Sequence, residues 1–115
     1  INMFKIEYIK NNQFNHVKLV NNDNSSYAKI SLNQGASLQE LFIDNTPIIE
    51  DLEPLQYADT YASSILFPFA NRIKDGSYTF QNKTYQFDIN QKEENNAQHG
   101  LVYNKTFKVI NQNSC

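Results

Sequence analysis

Met3-Phe-Lys-Ile-Glu-Tyr-Ile9 alternates apolar and polar side chains with a period of two, and the pattern returns from Phe14 to Val20 and in Tyr27-Ala-Lys-Ile-Ser-Leu32. Successive strand side chains point to opposite faces, so this spacing predicts short half-buried strands rather than helices. Clusters of turn-forming residues separate the runs, most clearly Asn21-Asn-Asp-Asn-Ser-Ser26. Gly35 introduces Ala36-Ser-Leu-Gln-Glu-Leu-Phe-Ile43, where helix and strand propensities compete; its length and neighbours favour a strand. Tyr78-Thr-Phe80 and Tyr85-Gln-Phe-Asp-Ile89 read as a hairpin turning about Asn82-Lys83. A last strand is expected over Thr106-Phe-Lys-Val-Ile110. Only Asp51–Ser63, with helix formers after Pro54 and no alternation, is a candidate short helix. The expected architecture is mostly β, an antiparallel β-sandwich.

The final strand has no later partner in the sequence. Exposed edges pair with other chains, so self-association, or pairing with a missing C-terminal half, is the expectation for it.

The 115 residues suit one domain, and a globular chain of this size buries about 65% of its unfolded surface. Hydrophobic residues make up 40% and charged residues 19%, as in ordinary soluble proteins. Lysine and arginine are scattered and the net charge is -2, so there is no basic face to displace counterions, and nucleic acid is not an expected partner. No apolar run approaches the roughly 20 residues of a membrane helix. No signal-peptide pattern opens the chain, Met3 reads as the native start, and the expected location is cytoplasmic. A single cysteine, Cys115, rules out an internal disulfide framework and a multi-thiolate metal site. Asparagine is abundant and dispersed, and the sequons at Asn24, Asn82 and Asn104 are by-products of that abundance.

The residues with chemical potential lie in Phe67-Pro-Phe-Ala-Asn-Arg-Ile-Lys-Asp-Gly76 and Asn96-Ala-Gln-His-Gly100. Asn71 both donates and accepts hydrogen bonds, as sugar hydroxyls require, and it also suits a turn. Arg72 presents five donors in a fixed fork; it serves either as a ligand grip or as a structural arginine paired with Asp75 or another acid. The His99 imidazole can donate to or accept from a ring oxygen, or simply satisfy loop backbone. Gly76 suggests a tight turn, and Gly100 either a turn or a close approach to a ligand. His16 alternates within a strand and reads as structural. Glu93 and Glu94 read as solvent-facing acids. The two histidines and terminal thiol form no zinc pattern, and there is neither a phosphate loop nor a nucleophile elbow.

Taken in order, Gly35-Ala-Ser-Leu-Gln-Glu-Leu41, Leu66-Phe-Pro-Phe-Ala-Asn-Arg-Ile-Lys-Asp-Gly-Ser-Tyr-Thr-Phe80, Gln81-Asn-Lys-Thr-Tyr-Gln-Phe87 and Asn96-Ala-Gln-His-Gly-Leu-Val-Tyr103 resemble the aldose 1-epimerases, or galactose mutarotases. The resemblance covers roughly residues 26–110 and is carried chiefly by the Asn-Arg-Ile and His-Gly elements. It implies the large antiparallel galactose-mutarotase-like supersandwich, with residues 1–115 as the N-terminal portion of a single such domain, incomplete at the C-terminus. It also implies that Asn71, Arg72 and His99 contact the substrate sugar, an aldohexose such as galactose or glucose. The family's general acid histidine and general base glutamate have no match in this chain, so no catalytic residue is assigned and the chain alone is expected to be inactive. No metal or organic cofactor is implied. Two other readings remain: a non-catalytic carbohydrate-binding or interaction domain with a mutarotase-like face, and a relative acting on phosphorylated hexoses.

Overall fold

The computed structural model describes residues 3–113. Backbone contacts divide them into two compact units, one of residues 3–65 and 103–113 and the other of residues 66–102. The architecture is mostly β with antiparallel sheets, as the alternation predicts.

The first unit is a five-stranded meander in which sequence neighbours are sheet neighbours: β1 (Phe4–Asn11), β2 (Phe14–Asn21), β3 (Tyr27–Ser31), β4 (Ser37–Ile43) and β5 (Thr46–Ile49). Short turns fix the registers. The link between β1 and β2 is two residues long, with Asn12 at φ 53°, and pairs Asn11 with Phe14. Asp44 and Asn45 both take positive φ (48° and 60°), the backbone needed to join β4 to β5 in a tight hairpin. The asparagine-rich stretch between β2 and β3 folds onto itself. The Ser26 N–H donates to Asn21 Oδ1 at 3.0 Å, and the Ser25 N–H donates to Asp23 Oδ1 at 2.9 Å.

Val17, Val20 and His16 are buried on β2, with Ser31 buried on β3 and Ser37 on β4. Lys29 and Glu40 face each other across β3 and β4 with their charges 3.1 Å apart. The Tyr27 hydroxyl donates to the same carboxylate at 2.9 Å. The region expected to hold a helix yields one turn, α1 (Tyr57–Thr60), and the Gln56 N–H donates to Asp59 Oδ2 at its start.

Residues 103–113 come back to this sheet without forming a strand, which corrects the expectation for Thr106–Ile110. The Phe107 N–H donates to Leu32 O at 2.8 Å, Lys105 O accepts from Gly35 at 2.9 Å, and Ile110 is 97% exposed. The backbone groups of this segment go to loops, so its alternation has no neighbouring strand to act on. Tyr103 is buried; its carbonyl accepts from the Tyr57 hydroxyl at 2.7 Å and its ring meets Tyr61 edge-on.

The second unit holds β6 (Arg72–Lys74), β7 (Ser77–Phe80), β8 (Lys83–Gln86) and β9 (Asn96–Gln98), paired β6 with β9 and β7 with β8. The predicted hairpin forms, but its turn is Gln81-Asn82, both at positive φ, and β8 stops at Gln86. Tyr78 stacks on Tyr85 and Phe87, and Phe69 packs on Phe87. Gly76 makes the anticipated tight turn, its N–H donating to Ile73 O at 3.0 Å. Among the described residues, no helix is long and apolar enough to cross a membrane.

Candidate functional site

The two sequence elements singled out above meet as β6 and β9. Arg72 pairs with Gln98, Ile73 with Ala97 and Lys74 with Asn96 in antiparallel register. One step beyond that register, the His99 N–H donates to the Asn71 carbonyl at 2.9 Å. Asn71, Arg72 and His99, separated by more than two dozen residues in sequence, therefore share one end of a two-stranded ribbon. Ala97, 2% exposed, anchors the middle of that ribbon.

The backbone at this end is unusual. Asn71 (φ 61°), His99 (φ 64°) and Gly100 (φ 75°) are all left-handed. Asparagine and histidine tolerate this conformation better than most residues. The Leu101 N–H then donates to Phe67 O at 2.7 Å, and Phe67 and Gly100 form an isolated bridge. Two successive cross-connections thus lock the Phe67–Arg72 stretch to His99–Leu101.

Arg72 is held by its neighbours. Its Nε donates to Gln91 Oε1 at 2.8 Å and its Nη1 to Asn71 Oδ1 at 3.0 Å, and Glu94 Oε2 lies 3.5 Å from Nε. Gln91 is fixed in turn, exchanging backbone hydrogen bonds with Asn96 at 3.0 Å in both directions. The guanidinium is thereby held in one orientation, while the side chain stays 44% exposed. An exposed ion pair of this kind stabilises by at most about 1 kcal/mol, so its main effect is orientation. Asp75, the acid weighed as a partner for Arg72, instead accepts from Asn95 Nδ2 at 2.8 Å. His99 is half-buried. Gln91 carries no signal of its own in the sequence, and Glu94 reads there as a solvent-facing acid. A polar loop directly preceding the histidine was the only available signal.

His16 is 7% exposed on β2, and its Nδ1 has no hydrogen-bond partner among the described residues. Burial, with the nearby Lys29 charge, holds its pKa below the ordinary 6.5; a Gln39 side-chain contact and the Asp51 and Glu40 charges oppose this more weakly. The unfolded ring therefore binds a proton at pH values where the folded ring does not. Its contribution to stability is complete above pH 6.5 and is lost as pH falls from there toward the depressed folded value. We expect the urea midpoint to drop between about pH 7.5 and about pH 5, and to drop less in His16→Leu. Equal pH slopes for the two proteins would refute the assignment.

A groove of about 320 Å³ in the first unit is lined by Leu38, Ile48, Leu52, Leu55 and Tyr57 among others, and shares no residue with the Asn71–Arg72–His99 cluster. Among the described residues, no group of three or more His, Cys, Asp or Glu is arranged to hold a metal ion.

Comparison with known proteins adds a family. The family model described as aldose 1-epimerase matches residues 16–115. An uncharacterized protein of Escherichia coli K12, YihR, is 32% identical over 68 residues, 59% of this chain and 22% of YihR. A galactose mutarotase-like protein from Clostridium acetobutylicum superposes with a TM-score of 0.68 at 26% identity, over 95% of this chain and 36% of that one. The galactose 1-epimerase of Lactobacillus acidophilus superposes with a TM-score of 0.62 at 22% identity, over 84% and 30% of the two chains, a likeness of fold alone. The chain thus spans between about a fifth and about a third of the length of these relatives.

Proposed function

The chain belongs to the aldose 1-epimerase family, and from that membership we propose that it is the N-terminal portion of a mutarotase domain, supplying the grip on a free aldohexose. Asn71, Arg72 and His99 are the residues of that grip. The observation that carries this reading is the 2.9 Å hydrogen bond from the His99 N–H to the Asn71 carbonyl, which brings both sequence elements to one ribbon end.

The chemistry follows from the substrate. Interconverting anomers requires a proton to leave the anomeric hydroxyl while another reaches the ring oxygen, so that the ring opens, rotates about C1–C2 and recloses. General acid and base groups contribute about 10²–10⁴-fold each to such a step. In this chain Arg72 binds and orients: its charged donors engage adjacent hydroxyls, at on the order of 1.5–3 kcal/mol for a hydrogen bond to a charged group. Asn71 keeps Nη1 in line, and its amide offers a second polar contact. His99, half-buried beside them, addresses the region of the ring oxygen. The acid–base pair itself has no counterpart among these residues.

Titration of the 115-residue chain with galactose or glucose, followed by NMR, tests the grip. Signals of Arg72 and His99 should shift on sugar addition, and Arg72→Ala should weaken binding by about 10-fold or more. Polarimetry on fresh α-anomer should show no acceleration by the chain alone. Shifts confined to residues outside the cluster, or undiminished binding by Arg72→Ala, would defeat the proposal. A second reading is sugar binding without catalysis. It gains if a longer protein carrying this segment binds sugar yet leaves mutarotation at the buffer rate.

A further inference from the structure

β1 is an edge of the five-stranded sheet, paired with β2 alone. Among the described residues, no other backbone hydrogen bond reaches it. The strand exposes apolar side chains between its charges: Phe4 is 45%, Tyr8 59% and Ile9 37% exposed, and the Tyr8 hydroxyl donates to Gln112 Oε1. Long apolar edges of this kind are templates for another strand.

The ladder fixes which backbone groups are open. The two-residue turn makes Asn11 and Phe14 the closing hydrogen-bonded pair. Such pairs recur at every second residue, so Lys5, Glu7, Ile9 and Asn11 direct their N–H and C=O groups to β2. Phe4, Ile6, Tyr8 and Lys10 direct theirs outward.

The charges then select a register. Lys5 and Glu7 sit two residues apart on one face, 3.4 Å from each other, with side chains 55% and 42% exposed. An exposed pair of this kind contributes at most about 1 kcal/mol, so both charges stay open to a second strand. In an antiparallel two-fold arrangement centred on Ile6, Lys5 faces Glu7 of the second copy, and the reverse pair forms by symmetry. These are the non-hydrogen-bonded positions, where side chains approach most closely. Phe4 then faces Tyr8 of the second copy, Ile6 faces its own counterpart, and each of these outward-facing pairs can exchange both backbone hydrogen bonds. Moving the centre by one residue sets Glu7 against Glu7 or Lys5 against Lys5.

We propose that β1 is an interface for a second copy of this chain, in the antiparallel register centred on Ile6. Lysine on an edge strand ordinarily discourages pairing. Here the acid two residues along converts that deterrent into a match for an identical strand.

Sedimentation equilibrium of the 115-residue chain across the micromolar range tests this, with circular dichroism to verify folding of each variant. A monomer–dimer equilibrium is expected. Lys5→Glu should raise the dissociation constant by about tenfold, as two favourable cross-strand charge pairs become repulsive. The double variant Lys5→Glu/Glu7→Lys should restore it to within about twofold by reinstating both pairs. Hydrogen exchange at the Phe4, Ile6 and Tyr8 amides should slow as concentration rises. A monomer at all concentrations, a dimer indifferent to Lys5→Glu, or a double variant no better than the single would overturn the proposal. So would amide protection independent of concentration, since another segment of the same chain would then cover the edge.

Discussion

Gly35→Ala is expected to lower the stability of the chain by about 2–5 kcal/mol, with two causes acting together. Gly35 has φ +65°, a conformation costing an L-residue roughly 1–2 kcal/mol. An added Cβ would also lie 2.1 Å from the Tyr103 carbonyl oxygen and 2.6 Å from its carbon. These are backbone atoms and cannot swing aside. The oxygen is already committed to the Tyr57 hydroxyl, and the Gly35 N–H to Lys105 O. Relief therefore means pulling residues 103–105 off the sheet, the kind of overpacking that costs about 1–3 kcal/mol or more. Domains of this size are stable by only about 5–15 kcal/mol in all, so the change removes a large share. Urea denaturation measures it directly. A midpoint within error of the parent would sink this account of Gly35.

Gly100→Ala is the corresponding change in the second unit, and it reaches the candidate site. The new Cβ would lie 2.2 Å from the Phe67 carbonyl oxygen at a residue with φ +75°. That oxygen accepts from the Leu101 N–H, and the preceding residue, His99, bonds to Asn71. The two connections that hold Phe67–Arg72 to His99–Leu101 would be strained together. We expect the Leu101 and His99 amides to exchange roughly 100-fold faster, equivalent to about 3 kcal/mol of local opening. Sugar-induced NMR shifts at Arg72 should fade in parallel. Unchanged exchange at both amides would show that the loop accommodates a methyl group.

The parts of the fold legible in the sequence are those where one face is buried along a whole strand. β1 to β3 alternate because the sheet requires it, the turn between β2 and β3 is spelled in Asn, Asp and Ser, and β4 follows from its length and its strand neighbours. β5 went unseen because Pro47 discourages a strand, yet β5 is an edge, where a missing N–H does little harm. β6 and β9 have three residues each, too few to display a period. The hairpin turn came out one residue early because Gln81 takes a left-handed backbone that its side chain does not advertise. Thr106–Ile110 shows the converse: alternation is necessary for a half-buried strand but does not supply a neighbour. At the candidate site, family resemblance points to Asn71, Arg72 and His99, which the pairing of β6 with β9 brings to one ribbon end. Gln91 and Glu94 acquire their role only when β6 and β9 pair, a tertiary event that no local pattern encodes.

The contacts from Gly35 to Lys105, Tyr57 to Tyr103 and Leu32 to Phe107 share a thermodynamic consequence. The meander is ordered in short, local steps, whereas this clasp ties together points from 46 residues apart (Tyr57 to Tyr103) to 75 apart (Leu32 to Phe107), at a loop-closure entropy on the order of 4 kcal/mol. That cost is incurred once, by whichever contact forms first, and the others add to it almost freely. The clasp is therefore cooperative in itself: its three hydrogen bonds hold together, and losing the steric fit at Gly35 exposes the rest to an entropic debt that no single one of them covers.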